Sequence, residues 1–101
     1  MAMQSSLASH GRKMVTIVDP HIKRDDSYHI HNEASSLGYY VKDASGGDFT
    51  GNCWPGSVSY VDFLNPRARQ WWADKYAFSQ YVGSTPNLYT WVDMNEPSVF
   101  R

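Results

Sequence analysis

The chain has 101 residues, with nine Lys and Arg against ten Asp and Glu and a formal net charge of −1. That balance excludes the basic footprint that drives nucleic-acid binding, and a lone cysteine, Cys53, excludes an intrachain disulfide and a multi-cysteine zinc site. No run approaches the roughly 18 apolar residues of a membrane span, so neither a membrane nor a nucleic acid is an expected partner.

Hydrophobic residues at 42% and charged residues at 19% suit a globular chain, and an aromatic content of 15% leaves ring surface that must fill a core or line a binding site. Met3 to His10 sets Met3 and Leu7 on one face and predicts a short helix, with Gly11 as the glycine beyond its C-terminus. The opening MAMQSSLASHGRKMV lacks a basic stretch followed by a continuous apolar one, so it does not read as a secretory signal. Met14 to Val18 is apolar and β-branched, the pattern of a strand buried on both faces, and Pro20 ends it.

Residues 20–64 hold many Gly, Ser, Asp and His and read as a long irregular segment, functional or carrying small elements of its own. Within it Leu37 to Val41 suits a short strand, with a hairpin around it. Asn65-Pro66 is a helix start, with Asn as the cap and Pro in the first turn, and the helix is expected to reach about Tyr81. Trp71 and Trp72 on it are expected to pack. Leu88 to Val92 is the second buried-strand candidate.

Strand, helix, strand in this order is a βαβ unit with parallel strands. By itself it leaves sheet edges and faces uncovered, so the chain is expected to be part of an α/β barrel or a doubly wound sheet. The dense Phe100-Arg101 end, unlike a polar linker, is expected to lie inside a longer domain.

Both strand candidates run into acidic residues, Asp19-Pro20 and Asp93-Met94-Asn95-Glu96-Pro97. In parallel α/β folds such positions face the ligand. A helix cap is the competing role for Asp93, and a turn for Asp19. Carboxylates with aromatic neighbours suggest glycoside chemistry, in which a nucleophile and an acid/base flank the scissile bond. Asp93 and Glu96 are too close in sequence to do both. One is expected to act and the other to support it. Trp54, in a Gly/Pro-rich turn, has less core to fill than the helix doublet and is a binding candidate. The spacing His21, Asp25, Asp26, His29, His31 fits no metal signature and reads as solvated polar groups, so no metal is expected. Cys53 lacks an activating neighbour in sequence. No phosphate-loop pattern is present, and no cofactor is expected.

Trp91-Val-Asp-Met-Asn-Glu96, continued by Pro97-Ser-Val-Phe100, resembles the W-x-D-M-N-E signature of glycoside hydrolase family 31. Met14-Val-Thr-Ile-Val-Asp-Pro-His-Ile-Lys23, Gly38-Tyr-Tyr-Val-Lys-Asp43 and Cys53-Trp-Pro-Gly56 extend the likeness toward the neutral α-glucosidases of the endoplasmic reticulum. It covers about residues 10 to 101.

The resemblance implies an α/β fold, part of a (β/α)8 TIM barrel, with residues 1–101 supplying about strands 3 and 4, the intervening helix and, at 20–64, a long insertion over the active site. It implies a retaining α-glucosidase acting on terminal α-linked glucose, with Asp93 as catalytic nucleophile and Glu96 as its support. Trp54, Trp91 and Met94 would line the glucose pocket and Phe100 the leaving-sugar site. The family's acid/base would lie past residue 101. An oligosaccharide substrate, a regulatory β-subunit and the lumen of the endoplasmic reticulum follow from the same resemblance. Val92 departs from the polar residue often found there. A non-catalytic carbohydrate-binding segment, or a product without independent activity, is the alternative.

Overall fold

The computed structural model describes residues 1–100. In chain order the elements are α1 (Ala2–Ser9), β1 (Met14–Val18), β2 (His21–Lys23), α2 (His29–Leu37), β3 (Gly51–Cys53), β4 (Gly56–Tyr60), α3 (Pro66–Asp74) and β5 (Leu88–Val92). They form two sheets. β1 and β5 pair in parallel, Met14 opposite Leu88 through Val18 opposite Val92. β2, β4 and β3 form an antiparallel sheet with β4 in the middle.

α1 ends as its sequence predicts. Gly11 adopts φ 68°, and the amides of Gly11 and Arg12 reach back to the carbonyls of Ala8 and Leu7 at 3.1 and 2.9 Å. A left-handed glycine closes a helix this way because it carries no Cβ to clash. Gln4 ties α1 to the loop before β5 by donating to the Gly83 carbonyl at 2.7 Å.

The parallel pair matches the expected βαβ unit, but it is thinly covered: Met14, Thr16, Val18 and Leu88 on one face are half-buried, and the opposite face is open. Val15, Ile17, Tyr89 and Trp91 are each about half exposed, and Val92 is 69% exposed. The β-branched run that reads as doubly buried has, in this chain, no second layer over it.

The segment 20–64 carries small elements of its own, one of the two readings its length allows: it holds α2 and the whole antiparallel sheet. Leu37 to Val41 is not a strand. Leu37 is the last residue of α2, and Gly38 turns left-handed at φ 72°, with the Tyr39 amide returning to Ala34 at 2.9 Å. Tyr40 makes a single β-bridge to Val61. In place of the hairpin expected around Leu37 to Val41 there is an isolated antiparallel bridge from Lys42 to Asp48, and a hairpin forms instead between β3 and β4, turning at Trp54-Pro55.

Side chains alternate across a strand, and β4 uses both faces. One side of the sheet meets α2 and α3 in a core of Ile22, Ala34, Tyr40, Val61, Ala68 and Trp71. The other side gathers Cys53, Val58 and Tyr60, with Phe49 and Met94 packed on them. Buried Ser59 is satisfied, donating to the Phe49 carbonyl at 2.8 Å and accepting from Arg24 at 2.7 Å.

α3 starts at the predicted cap, where Asn65 Oδ1 accepts from the Arg67 amide at 3.0 Å. It stops at Asp74, not near Tyr81. The Lys75 amide is shared between the Trp71 and Trp72 carbonyls, and the amides of Tyr76 and Ala77 each bond three residues back. The tightened turn folds Tyr76 edge-on to Trp72 and stacks it on Tyr81, at 5.6 and 6.3 Å between ring centres. Trp71 is buried and Trp72 half-buried, so the doublet packs as expected.

Candidate active site

β1 and β5 deliver Asp19 and Asp93 side by side. Each follows the last matched pair, Val18 and Val92, and the Asp93 amide donates to the Val18 carbonyl at 3.1 Å. Adjacent strands lie roughly 4.8 Å apart. Two carboxylates therefore sit together at the C-terminal ends of neighbouring parallel strands, where α/β folds place ligands.

For Asp19 the structure shows more than a turn. Its Oδ2 lies 3.6 Å from His21 Nε2, while Asp19 Oδ1 and His21 Nδ1 are buried without a partner among the described residues. Such orphaned polar atoms are expensive unless something supplies the missing bond. Two cavities adjoin this end, of about 580 and 420 Å³. Asp19 lines both. Asp93 lines neither.

After Asp93 the chain makes a tight turn. Met94 has φ 60°, the left-handed region that non-glycine residues seldom occupy. Asn95 Nδ2 donates to the Asp93 carbonyl at 2.6 Å, and the Ser98 amide donates to the Met94 carbonyl at 3.1 Å. The turn is not helical, so the shared side that helical spacing would give Asp93 and Glu96 does not arise. Glu96 is exposed and, among the described residues, makes no hydrogen bond to Asp93. The bond that braces Asp93 comes from Asn95 instead.

The turn then lies on the antiparallel sheet. Tyr60 donates its hydroxyl to the Ser98 carbonyl at 2.7 Å, and the Cys53 thiol approaches the same oxygen at 3.8 Å. The Phe100 amide donates to the Asn52 carbonyl at 2.8 Å. Gly51 is required by this contact, since a Cβ there would come within 2.9 Å of Val99 Cγ1. The docking brings Trp54 edge-on to Phe100, 4.6 Å between centres at 84°. Trp54 remains 71% exposed.

Of the residues singled out in sequence, Asp93, Met94, Trp54 and Phe100 are thus joined into one assembly. Trp91 stands on the exposed β5, one residue before Val92. Sequence reasoning missed Tyr60 and Asn95, and it undervalued Asp19.

The His and Asp residues of 21–31 have separate local roles. His31 is buried against the Tyr40 hydroxyl at 2.8 Å, and Asp25 caps a turn through the Ser27 amide and hydroxyl. Those Ser27 bonds hold the Asp25 carboxyl below its ordinary value. Among the described residues, no cluster of three or more His, Cys, Asp or Glu is placed to hold a metal ion.

Comparison with known proteins gives this geometry a lineage. The family model "Glycosyl hydrolases family 31 TIM-barrel domain" matches residues 1–101. A "Probable glucan 1,3-alpha-glucosidase" of Arabidopsis thaliana is 68% identical over 99 residues, 98% of this chain and 11% of the relative. The human "Neutral alpha-glucosidase AB" is 56% identical over 98% of this chain and 10% of its own length. A crystal structure of a glucosidase II alpha subunit bound to alpha3-Glc2 superimposes with a TM-score of 0.93 at 44% identity, over 98% of this chain and 11% of that one. The chain spans about a tenth of the length of the curated relatives it matches. With the strand-end acids and the docked aromatic turn in place, the match along its whole length makes this chain a member of glycoside hydrolase family 31, within the TIM-barrel domain of that family.

Proposed function

We propose that residues 1–101 are the nucleophile-bearing part of a (β/α)8 barrel, about its third and fourth strands with 20–64 as the insertion between strand and helix, in a retaining α-glucosidase. The observation that carries this reading is the position of Asp93, immediately after a parallel strand and beside a turn that presents Trp54 and Phe100. Asp93 attacks the anomeric carbon of a terminal α-linked glucose. The bond to the leaving sugar breaks, its oxygen takes a proton from a second carboxylate outside this chain, and a glycosyl ester forms on Asp93. Water, deprotonated by that second carboxylate, cleaves the ester, and two inversions give retention.

Trp54, Trp91 and Met94 shape the glucose subsite, Phe100 meets the leaving sugar, and Glu96 adds local negative charge that supports the motif. The substrate class is an oligosaccharide with terminal α-linked glucose, N-glycans among them. Solved relatives bind alpha3-Glc2 and Glc1Man2, and one is a catalytic subunit with the binding domain of a regulatory subunit. A regulatory subunit as partner and the endoplasmic reticulum lumen as location follow for the whole protein.

The test replaces the matching 99 residues of a family 31 α-glucosidase with this chain. The chimera is expected to hydrolyse an aryl α-glucoside, and Asp93→Asn to lower kcat by at least about a thousandfold with an unchanged thermal midpoint. Turnover that survives Asp93→Asn rules the assignment out.

A further inference from the structure

The turn after Asp93 is strained at Met94, and a strained residue persists only where its surroundings hold it. Contacts with the antiparallel sheet do so, from one face and from its β3 edge, together with a bond inside the turn. Met94 packs on Cys53, Val58 and Tyr60. Phe100 is bonded to Asn52. Between them, Ser98 is gripped from both ends: its amide donates to the Met94 carbonyl at 3.1 Å, and its carbonyl accepts from Tyr60 at 2.7 Å.

Two consecutive hydrogen bonds thus run from the Tyr60 hydroxyl to the residue adjoining Asp93. Tyr60 itself is closely packed. It is 4% exposed, and its ring lies 6.0 Å from that of Phe49 and 6.3 Å from that of His21. Burial, reinforced by the neighbouring Cys53 sulfur, pushes its phenol upward, so it remains a protonated donor at neutral pH. The Cys53 thiol, at 3.8 Å from the same carbonyl, is too weak a donor to replace it.

We infer that Tyr60 is a positioning residue for the reaction: by donating to the Ser98 carbonyl it fixes the turn that aims the Asp93 carboxylate. This rests on the reading of Asp93 as nucleophile. Misplacing an attacking group by a fraction of an ångström slows the chemical step without weakening sugar binding to the same degree.

In the chimera, Tyr60→Phe keeps the ring and removes only the donor. Counting active sites by burst titration, kcat per site is expected to fall about tenfold while KM stays within about twofold. Unaltered kcat per site in Tyr60→Phe, with Asp93→Asn inactive, overturns the positioning role alone. An active Asp93→Asn overturns the nucleophile reading.

A second measurement uses the chimera and needs no activity. Tyr60→Phe should speed hydrogen exchange of the Phe100 amide roughly five- to tenfold, the loss of one net hydrogen bond, while the Val41 amide, bonded to the Tyr60 carbonyl, keeps its rate. Equal Phe100 rates in the two proteins overturn the inference.

Discussion

The antiparallel sheet β2–β4–β3 is covered on both faces, by two helices on one side and by the Asp93–Phe100 turn on the other. The parallel pair β1–β5 presents Val15, Ile17, Tyr89 and Trp91 half exposed, and ends in Asp19 and Asp93. The chain therefore divides its labour. The segment that holds the fold together carries little of the proposed chemistry, and the segment that carries the acids has little packing of its own. The turn from Met94 to Phe100 joins them, so the acid-bearing strand end borrows its rigidity from the sheet.

The contrast breaks most readily at Trp71. It is 8% exposed, packs on Tyr39 and Trp72, and donates to Glu33 at 3.4 Å. Trp71→Ala should cost about 3–5 kcal/mol by the scale of large core truncations, read as a lower urea midpoint. An unchanged midpoint would show that the helix-covered core is not what stabilises the chain.

Gly51→Ala comes next. Its Cβ would press on Val99, and overpacking of this kind costs about 1–3 kcal/mol. It should also separate Trp54 from Phe100, visible as a change in Trp54 fluorescence. A retained Trp54 signal would mean the turn is held without the sheet.

Acid should weaken the packed region. Glu33 is held below its ordinary value of 4.5 by the Lys75 ammonium at 2.6 Å, and Asp48 below 3.8 by Lys42. Carboxyls lowered in the folded state stabilise fully above their unfolded values and lose that contribution as pH falls through the folded ones. The urea midpoint should be flat near neutrality and fall below about pH 4.5. Glu33→Gln should flatten part of that decline. An identical decline in the variant would place the acid sensitivity elsewhere.

The smallest effect belongs to the open face. Val15→Thr, at a position 55% exposed, should shift stability of the chain by less than about 0.5 kcal/mol. A loss of several times that size would show β1 to be packed in solution.

Much of the open region was legible from local pattern. β-branched runs marked β1 and β5, and the acidic motif marked Asp93. Of the packed region, Asn65-Pro66 marked the start of α3 and the Trp71-Trp72 doublet its packing face; the rest was not legible. β2 and β3 are three residues each, too short for a periodic signal. α2, with His, Asn and two Ser, has weak helix propensity and is held by Ala34 and by the His31–Tyr40 contact. Tyr39 and Tyr40 looked strand-like because aromatics favour sheets, yet Gly38 uses its left-handed freedom to end a helix there. Tyr60 left no local trace, because its acceptor lies 38 residues onward and is a backbone carbonyl.

The central claim is that the Asp93 carboxylate bonds to sugar. The chimera should be incubated with 5-fluoro-α-D-glucosyl fluoride, which slows hydrolysis of the ester, and its digest sequenced by mass spectrometry. A glucosyl adduct on Asp93 is the predicted result. An adduct on Asp19 or Glu96, with Asp93 unmodified, would contradict the account.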